Sequence, residues 1–351
     1  MHEKIWMRAS NSRSDNPKSK IENPKWLGFS LIAFWLLCGV MAEAQQTEKI
    51  FRIGFLDAST ASGMEVLVEV FRQEMRNLGW IEGKNIAIEY RFAQQNREHL
   101  PELAADLVRL KVDLIVVTAG PAAAAARKTT GTIPIVMTNV GDPVGEGLVA
   151  RLERPGGNVT GFAGLAPELN TKRLEILKDA VAKLSRVGLL RAPGVLSAGG
   201  ALQLKGLTAA AQALKLKLEE IETPADPKSL AGAFQTANQK QVKAIITTAT
   251  REFFAERKRI VELATKHRLP AIYFQKEFVD EGGLMSYGTD FADLYRRVAV
   301  YVDKILKGAK PADLPVQQAT KFEFVINLKA AKQIGLTIPV NVLERANQVI
   351  K

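Results

Sequence analysis

Cysteine is nearly missing from this chain: its 351 residues hold one, Cys38, together with three histidines, His2, His99 and His267. Cys38 lies in an apolar stretch expected to be cut away, so the remaining chain has neither a disulfide nor a thiol nucleophile, and its stability must come from packed cores. His99 and His267 are far apart and each falls in a predicted helix with charged neighbours, which argues against a metal centre or a histidine base. A Gly-x-Ser-x-Gly elbow is missing, and Gly83-Lys84-Asn85 lacks the closing Ser or Thr of a phosphate loop. Gly145-Glu-Gly-Leu-Val-Ala150 matches a loose dinucleotide pattern but follows Asp142-Pro143 rather than a first strand. No cofactor, no metal and no catalytic constellation is therefore expected, and the chain is not read as an enzyme.

What is present at the start is a basic stretch (Lys18, Lys20, Lys25), an apolar run from Trp26 to Met41, and small residues at Ala42 and Ala44. This is the pattern of a secretory signal over residues 1–44, cleaved after Ala44. The run is shorter than the ~20 apolar residues of a spanning helix, and Trp35-Leu36-Leu37 before Cys38 is no lipobox. Met7 is an alternative start. Beyond Ala44 the chain keeps 42 Lys and Arg against 33 Asp and Glu; on an exported chain this excess concerns solubility and surfaces, and no nucleic acid is expected. The 307 residues that follow the leader exceed what one core usually carries and predict two lobes.

From Phe51 short apolar runs alternate with segments of helical period, the signature of parallel sheets covered by helices. The first set of predicted strands covers Phe51–Leu56, Ile86–Tyr90, Leu114–Val117, Ile133–Met137 and Val159–Phe162; the second covers Val187–Leu190, Leu216–Ile221, Ala244–Thr247 and Ala271–Phe274. Met64, Leu67, Phe71, Met75 and Leu78 form one helical stripe ending at Gly79. A helix is predicted over Phe253–His267 and another over Phe291–Leu306. Two such series predict an α/β fold of two doubly wound αβα lobes joined by a hinge of about three crossings. The expected crossings are Glu168–Thr171, Gly282–Gly288 and Pro311–Pro315, dividing the chain into lobe 1 (50–167 and 289–315) and lobe 2 (168–288 and 316–351).

Ligands of open parallel sheets bind beyond the carboxyl ends of strands, so the residues after each strand are the candidates. After the first strand stand Asp57, Ser59, Thr60 and Ser62, of whose three hydroxyls helix capping explains only one. After the third, Thr118, Gly120 and Pro121 open a helix whose bare backbone suits an anion or is an ordinary helix start. After the fourth, Asn139 offers donor and acceptor, and Asp142 either meets a ligand ammonium or caps a turn. Exchanging Asp142 for Ala separates these: a ligand contact predicts lost binding at nearly constant stability. In the second lobe the corresponding positions are Arg191, Thr248, Arg251 and Phe274; Tyr287 joins Phe274 as a candidate pocket wall. Arg191 and Arg251 either grip a carboxylate or point at water.

Six ordered motifs carry a resemblance: Asp142-Pro-Val-Gly-Glu-Gly-Leu-Val149, Arg154-Pro-Gly-Gly-Asn-Val-Thr-Gly161, Gly282-Gly-Leu-Met-Ser-Tyr-Gly288, Tyr295-Arg-Arg297, Ile305-Leu-Lys-Gly-Ala-Lys-Pro311 and Lys321-Phe-Glu-Phe-Val-Ile-Asn-Leu328. From about Phe51 onward the chain resembles the ABC transporter substrate-binding proteins of the tryptophan-binding (TrpX-like) family. The resemblance implies a type I periplasmic-binding-protein fold. It also implies a periplasmic monomer that closes on a small-molecule ligand, an amino acid or other small organic acid, and hands it to an ABC permease of the inner membrane served by a separate ATPase. A ligand-sensing module for a membrane receptor and a secreted hinged-cleft enzyme are the alternatives. Ala192-Pro193 behind Arg191, where the family usually has Asn-Pro, and Ala249-Thr-Arg251, where it usually has Pro-Asp-Pro, depart from the pattern. Two added arginines point toward a more acidic ligand.

Overall fold

Alternation of buried strands with one-sided helices sets the architecture of the described residues, 49–193 and 198–351 in the computed structural model. The predicted leader with Cys38 lies outside them, as does Gly194. The first series runs β1 (Phe51–Asp57), α1 (Ala61–Asn77), β2 (Ile86–Phe92), α2 (Leu100–Arg109), β3 (Leu114–Val117), α3 (Gly120–Thr129), β4 (Ile135–Val140) and β5 (Val159–Ala163). The second runs α4 (Ala166–Ala180), β6 (Arg186–Arg191), α5 (Ala198–Ala213), β7 (Lys217–Glu222), α6 (Pro227–Gln239) and β8 (Ala244–Thr247). It continues through α7 (Arg251–Ala255), α8 (Arg257–Lys266), β9 (Ala271–Tyr273), α9 (Glu277–Asp280) and β10 (Met285–Thr289). The chain then returns with α10 (Phe291–Leu306) and β11 (Gln317–Gln318), and ends in β12 (Phe322–Asn327), α11 (Leu328–Gln333), α12 (Val340–Leu343) and β13 (Gln348–Ile350).

The first sheet has the order β11-β5-β4-β3-β1-β2 and the second β13-β12-β10-β9-β8-β6-β7. Both are doubly wound sheets of one pattern, in which the first strand of each series lies between the second and the third. All pairings are parallel except β10 with β12. Strands β3 and β8 are buried along their lengths, and β6 everywhere but at its two ends, because helices cover both faces. The α1 stripe Met64, Leu67, Phe71 and Met75 is fully buried, and the helix stops where Gly79 takes φ +91°, a conformation open to glycine.

Three connections cross between the sheets, each displaced from its expected place. The first lies at Gly164–Leu165, because Pro167 starts α4 and puts Glu168–Thr171 inside it. The second is one residue, Asp290, which caps α10 by accepting from Asp293 N–H at 2.8 Å. Gly282–Gly288 is mostly strand instead, with Gly288 pressed against the Phe274 carbonyl. The third follows β11, since Gln317 and Gln318 pair with Phe162 and Ala163 of β5 and keep the chain in the first sheet past Pro315. The single helix expected over Phe253–His267 is two, α7 and α8, meeting at Glu256.

Candidate functional site

In each sheet the strand order reverses beside the first strand, so helices leave to opposite faces and a crevice opens at the carboxyl ends. The two crevices meet in one cleft. Thr118, Gly120, Pro121 and Asn139 line it from the first lobe, and Arg191, Thr248 and Arg251 from the second. These seven are the sequence candidates that the fold brings together.

Asp57 and Ser59 lie just beneath, wholly buried. The Ser59 N–H and Oγ–H both donate to Asp57 Oδ1 at 2.6 Å, and the Thr118 hydroxyl donates to Asp57 Oδ2. This carboxyl therefore ties the end of β1 to the end of β3, fixing the cleft floor. Burial pushes it above the usual carboxylate range, opposed by the charge of Arg251 and then by the Ser59 and Thr118 hydrogen bonds.

Asn139 owes its aim to an irregularity. Met137 pairs with Gly161 and Val140 with Ala163, so β4 spends one residue more than β5 over the same length. Such a bulge turns a side chain out of the regular alternation. Gly161, at φ +127°, sits under it, where a Cβ would strike the Met137 backbone. A Cβ on Gly164 would meet Asn139 Oδ1 at 2.8 Å.

At the start of α3, Ala119 holds φ +94° and ψ 165°, a region nearly reserved for glycine, and strain of this kind collects at ligand sites. The helix N-terminus it exposes is covered: a Cβ on Gly120 would lie 2.6 Å from Glu146 Oε2. In the second lobe Arg191 turns to the sheet edge, with Nε 3.0 Å from Glu220 Oε2 and an ion pair from Nη2 to Glu222. Arg251 is 5% exposed. Its guanidinium lies 4.9 Å from the ring centre of Phe291 and 5.8 Å from that of Phe254. Gln203 Oε1 accepts from Ala249 N–H at 3.0 Å and steadies the loop between Thr248 and Arg251.

The lobes also touch directly. Arg97 Nε donates to Glu252 Oε1 at 2.5 Å, Gln95 Nε2 to Glu256 Oε1 at 3.0 Å, and Arg257 Nη1 to the Gly63 carbonyl at 3.1 Å. A Cβ on Gly63 would come within 2.5 Å of Ala255 Cβ.

Four sequence candidates stand elsewhere. Thr60 caps α1, accepting from Gly63 N–H at 3.1 Å. Asp142 Oδ1 accepts from Gly145 N–H at 2.8 Å, closing a turn. Phe274 is core, 5.2 Å from the Phe278 ring. Tyr287 packs edge-on against Phe324, and its carbonyl accepts from the buried Arg173 Nε at 2.6 Å. Conversely, Arg97, Glu146, Gln203 and Glu252 line the cleft without having been singled out. Arg97 follows β2, so the strand-end rule applied to that strand would have found it. Gln203, inside α5, carries no local signal.

Residues 58–350 match the family model described as ABC transporter substrate binding protein. The chain is 26% identical over 266 residues to a tyrosine-binding protein of Clostridioides difficile (strain R20291), covering 76% of this chain and 75% of that one. Among solved structures it is similar to a conserved domain protein from Vibrio cholerae, with TM-score 0.77, 30% identity, and 86% of this chain and 100% of that chain covered. It is also similar to an ABC domain in complex with L-Trp from Streptococcus pneumonia, with TM-score 0.74, 27% identity, and 85% and 100% covered.

Proposed function

The chain belongs to the ABC transporter substrate-binding proteins, and from that premise we propose that it is the periplasmic solute-binding component of an import system. It takes an amino acid or another small organic acid into the cleft between its lobes, without chemical change, and delivers it as a monomer to a membrane permease driven by a separate ATPase. One observation carries this reading. The carboxyl ends of both sheets line a single cleft whose walls are joined, among the described residues, by three short chain connections and by side-chain contacts such as Arg97 with Glu252, so a solute touching both walls stabilises their closed arrangement. The relatives that bind tyrosine and L-Trp support an amino acid as the solute class.

In this reading Thr118, Gly120, Pro121, Asn139, Arg191, Thr248 and Arg251 surround the solute. Asp57 and Ser59 hold the floor beneath it. Thr60, Asp142, Phe274 and Tyr287 hold the scaffold. The test is a thermal-shift screen of protein stripped of bound solute against amino acids, dicarboxylates, purines and aromatic acids. At about 100 times its dissociation constant the right solute stabilises by about 2.7 kcal/mol; a wide panel without a hit counts against the reading.

A further inference from the structure

Besides Arg97, which Glu252 holds, three places in the cleft attract an anion: the N-terminus of α3, Arg191 and Arg251. The chain's own carboxylates already answer the first two. Glu146 lies over the first turn of α3, 2.6 Å from where a Gly120 Cβ would stand. Arg191 is held between Glu220 and Glu222 at the outer edge of β7. Glu252, the carboxylate next to Arg251 in sequence, is committed to Arg97 across the cleft.

Arg251 differs from both. It lines the cleft, it is 5% exposed, and its Nη1 is buried with no hydrogen-bond partner. Asp57 feels its charge at a distance but does not bond it, because the two Asp57 oxygens are taken up by Ser59 and Thr118 rather than by the guanidinium. Phe291 and Phe254 hold the guanidinium plane between α7 and α10, which limits its freedom before any partner arrives. A buried guanidinium N–H without an acceptor is costly, and an acceptor that reaches it is rewarded.

We propose that Arg251 is the specificity-determining residue of the cleft and that it pairs with a carboxylate of the solute. The solute class is thus a small carboxylic acid, amino acids included, seated with its acid group toward α7 and its body toward Thr118 and Asn139. Arg191 borders the cleft, but Glu220 and Glu222 hold its guanidinium, so the cleft presents one acid-binding arginine rather than two. This rests on the solute-binding reading and adds to it which charged group is recognised and by what.

The experiment uses calorimetry on the stripped wild type, Arg251→Met and Arg251→Lys. The probes are L-tyrosine, L-tryptophan, L-phenylalanine and 4-hydroxyphenylacetate, with L-tyrosinamide, L-tryptophanamide, L-phenylalaninamide and 4-hydroxyphenylacetamide as their carboxylate-free partners. The wild type is expected to bind at least one acid and to bind its amide on the order of 100-fold more weakly. Arg251→Met loses a similar factor for the acid and no longer separates acid from amide. Arg251→Lys, which keeps the charge but not the planar fork, recovers part of the loss. Circular dichroism and the melting temperature of each variant show whether it is folded. An acid bound equally by the wild type and a folded Arg251→Met overturns this assignment and leaves solute binding standing. Amides bound as tightly as acids do the same. Failure of the wild type to bind any probe overturns solute binding of this class and the role of Arg251 with it.

Discussion

Arg97 and Glu252 join the two lobes across the mouth of the cleft, Nε to Oε1 at 2.5 Å, with the Glu252 side chain 6% exposed and that of Arg97 35% exposed. A hydrogen bond to a charged group is worth about 1.5–3 kcal/mol, and here it exists only while the lobes are together. Arg97→Ala is therefore expected to lower the closed-to-open ratio by roughly 10- to 150-fold and to weaken solute binding. Spin labels at Ser62→Cys and Lys258→Cys, both exposed, read the interlobe distance in a chain whose only native cysteine is Cys38. An unchanged distance distribution would falsify a latch role for the pair.

How much of this was readable in advance depended on whether the signal was local. The boundaries of β3 and α10 coincide with the predicted Leu114–Val117 and Phe291–Leu306, because an apolar run between turn residues and an apolar stripe of period 3.6 are local facts. Seven of the strand-end candidates reached the cleft for the same reason: the end of a parallel strand is where the site must be. The segments of β10 and β12 were both recognisable as motifs, but their antiparallel pairing was not, since it is decided by the return crossing at Asp290. The same holds for Glu146 folding back over Gly120, and for Arg191 turning to Glu220 and Glu222 on a neighbouring strand. Those relations join residues from separate segments, and only packing brings them together.

Asp57 makes stability depend on pH in a stated direction. Its folded pKa is raised by burial, so the folded state holds the proton more tightly than the unfolded one. The stabilisation from that proton is fully present below the ordinary aspartate value of ~3.9 and is lost as pH rises through the folded value. Relative to Asp57→Asn, the wild type should gain stability as pH is lowered from roughly 7 toward roughly 4.5. Urea midpoints of both proteins at the two pH values check this; a difference that stays constant, or that moves in favour of the Asp57→Asn variant as acidity rises, overturns it.

Thr60 and Asp142 stabilise turns that carry the cleft without facing it. Thr60→Ala removes the cap on Gly63 N–H and Asp142→Ala the acceptor for Gly145 N–H; each should lower stability by about 1 kcal/mol. Solute affinity should stay within about twofold in both, because neither side chain lines the cleft. Parallel chemical denaturation and titration separate the two effects. A large loss of affinity at unchanged stability in Asp142→Ala would return that carboxylate to the solute.

Gly161 is where the aim of Asn139 can be broken from a distance. The extra residue of β4 between Met137 and Val140 needs β5 to pass close beneath, and at φ +127° the Gly161 backbone does so with no side chain in the way. Gly161→Ala adds a Cβ against the Met137 carbonyl in a conformation that L-residues rarely adopt, so strain and clash act together. The expected cost is at least about 2 kcal/mol of stability. Gly157→Ala, exposed and with nothing within 4 Å of its Cβ position, should be close to neutral. Because the bulge and not the Asn139 backbone alone directs that amide into the cleft, Gly161→Ala should also weaken solute binding. The loss should persist under conditions where the variant is fully folded by circular dichroism. Full affinity in that folded variant would mean that Asn139 reaches the cleft without the bulge.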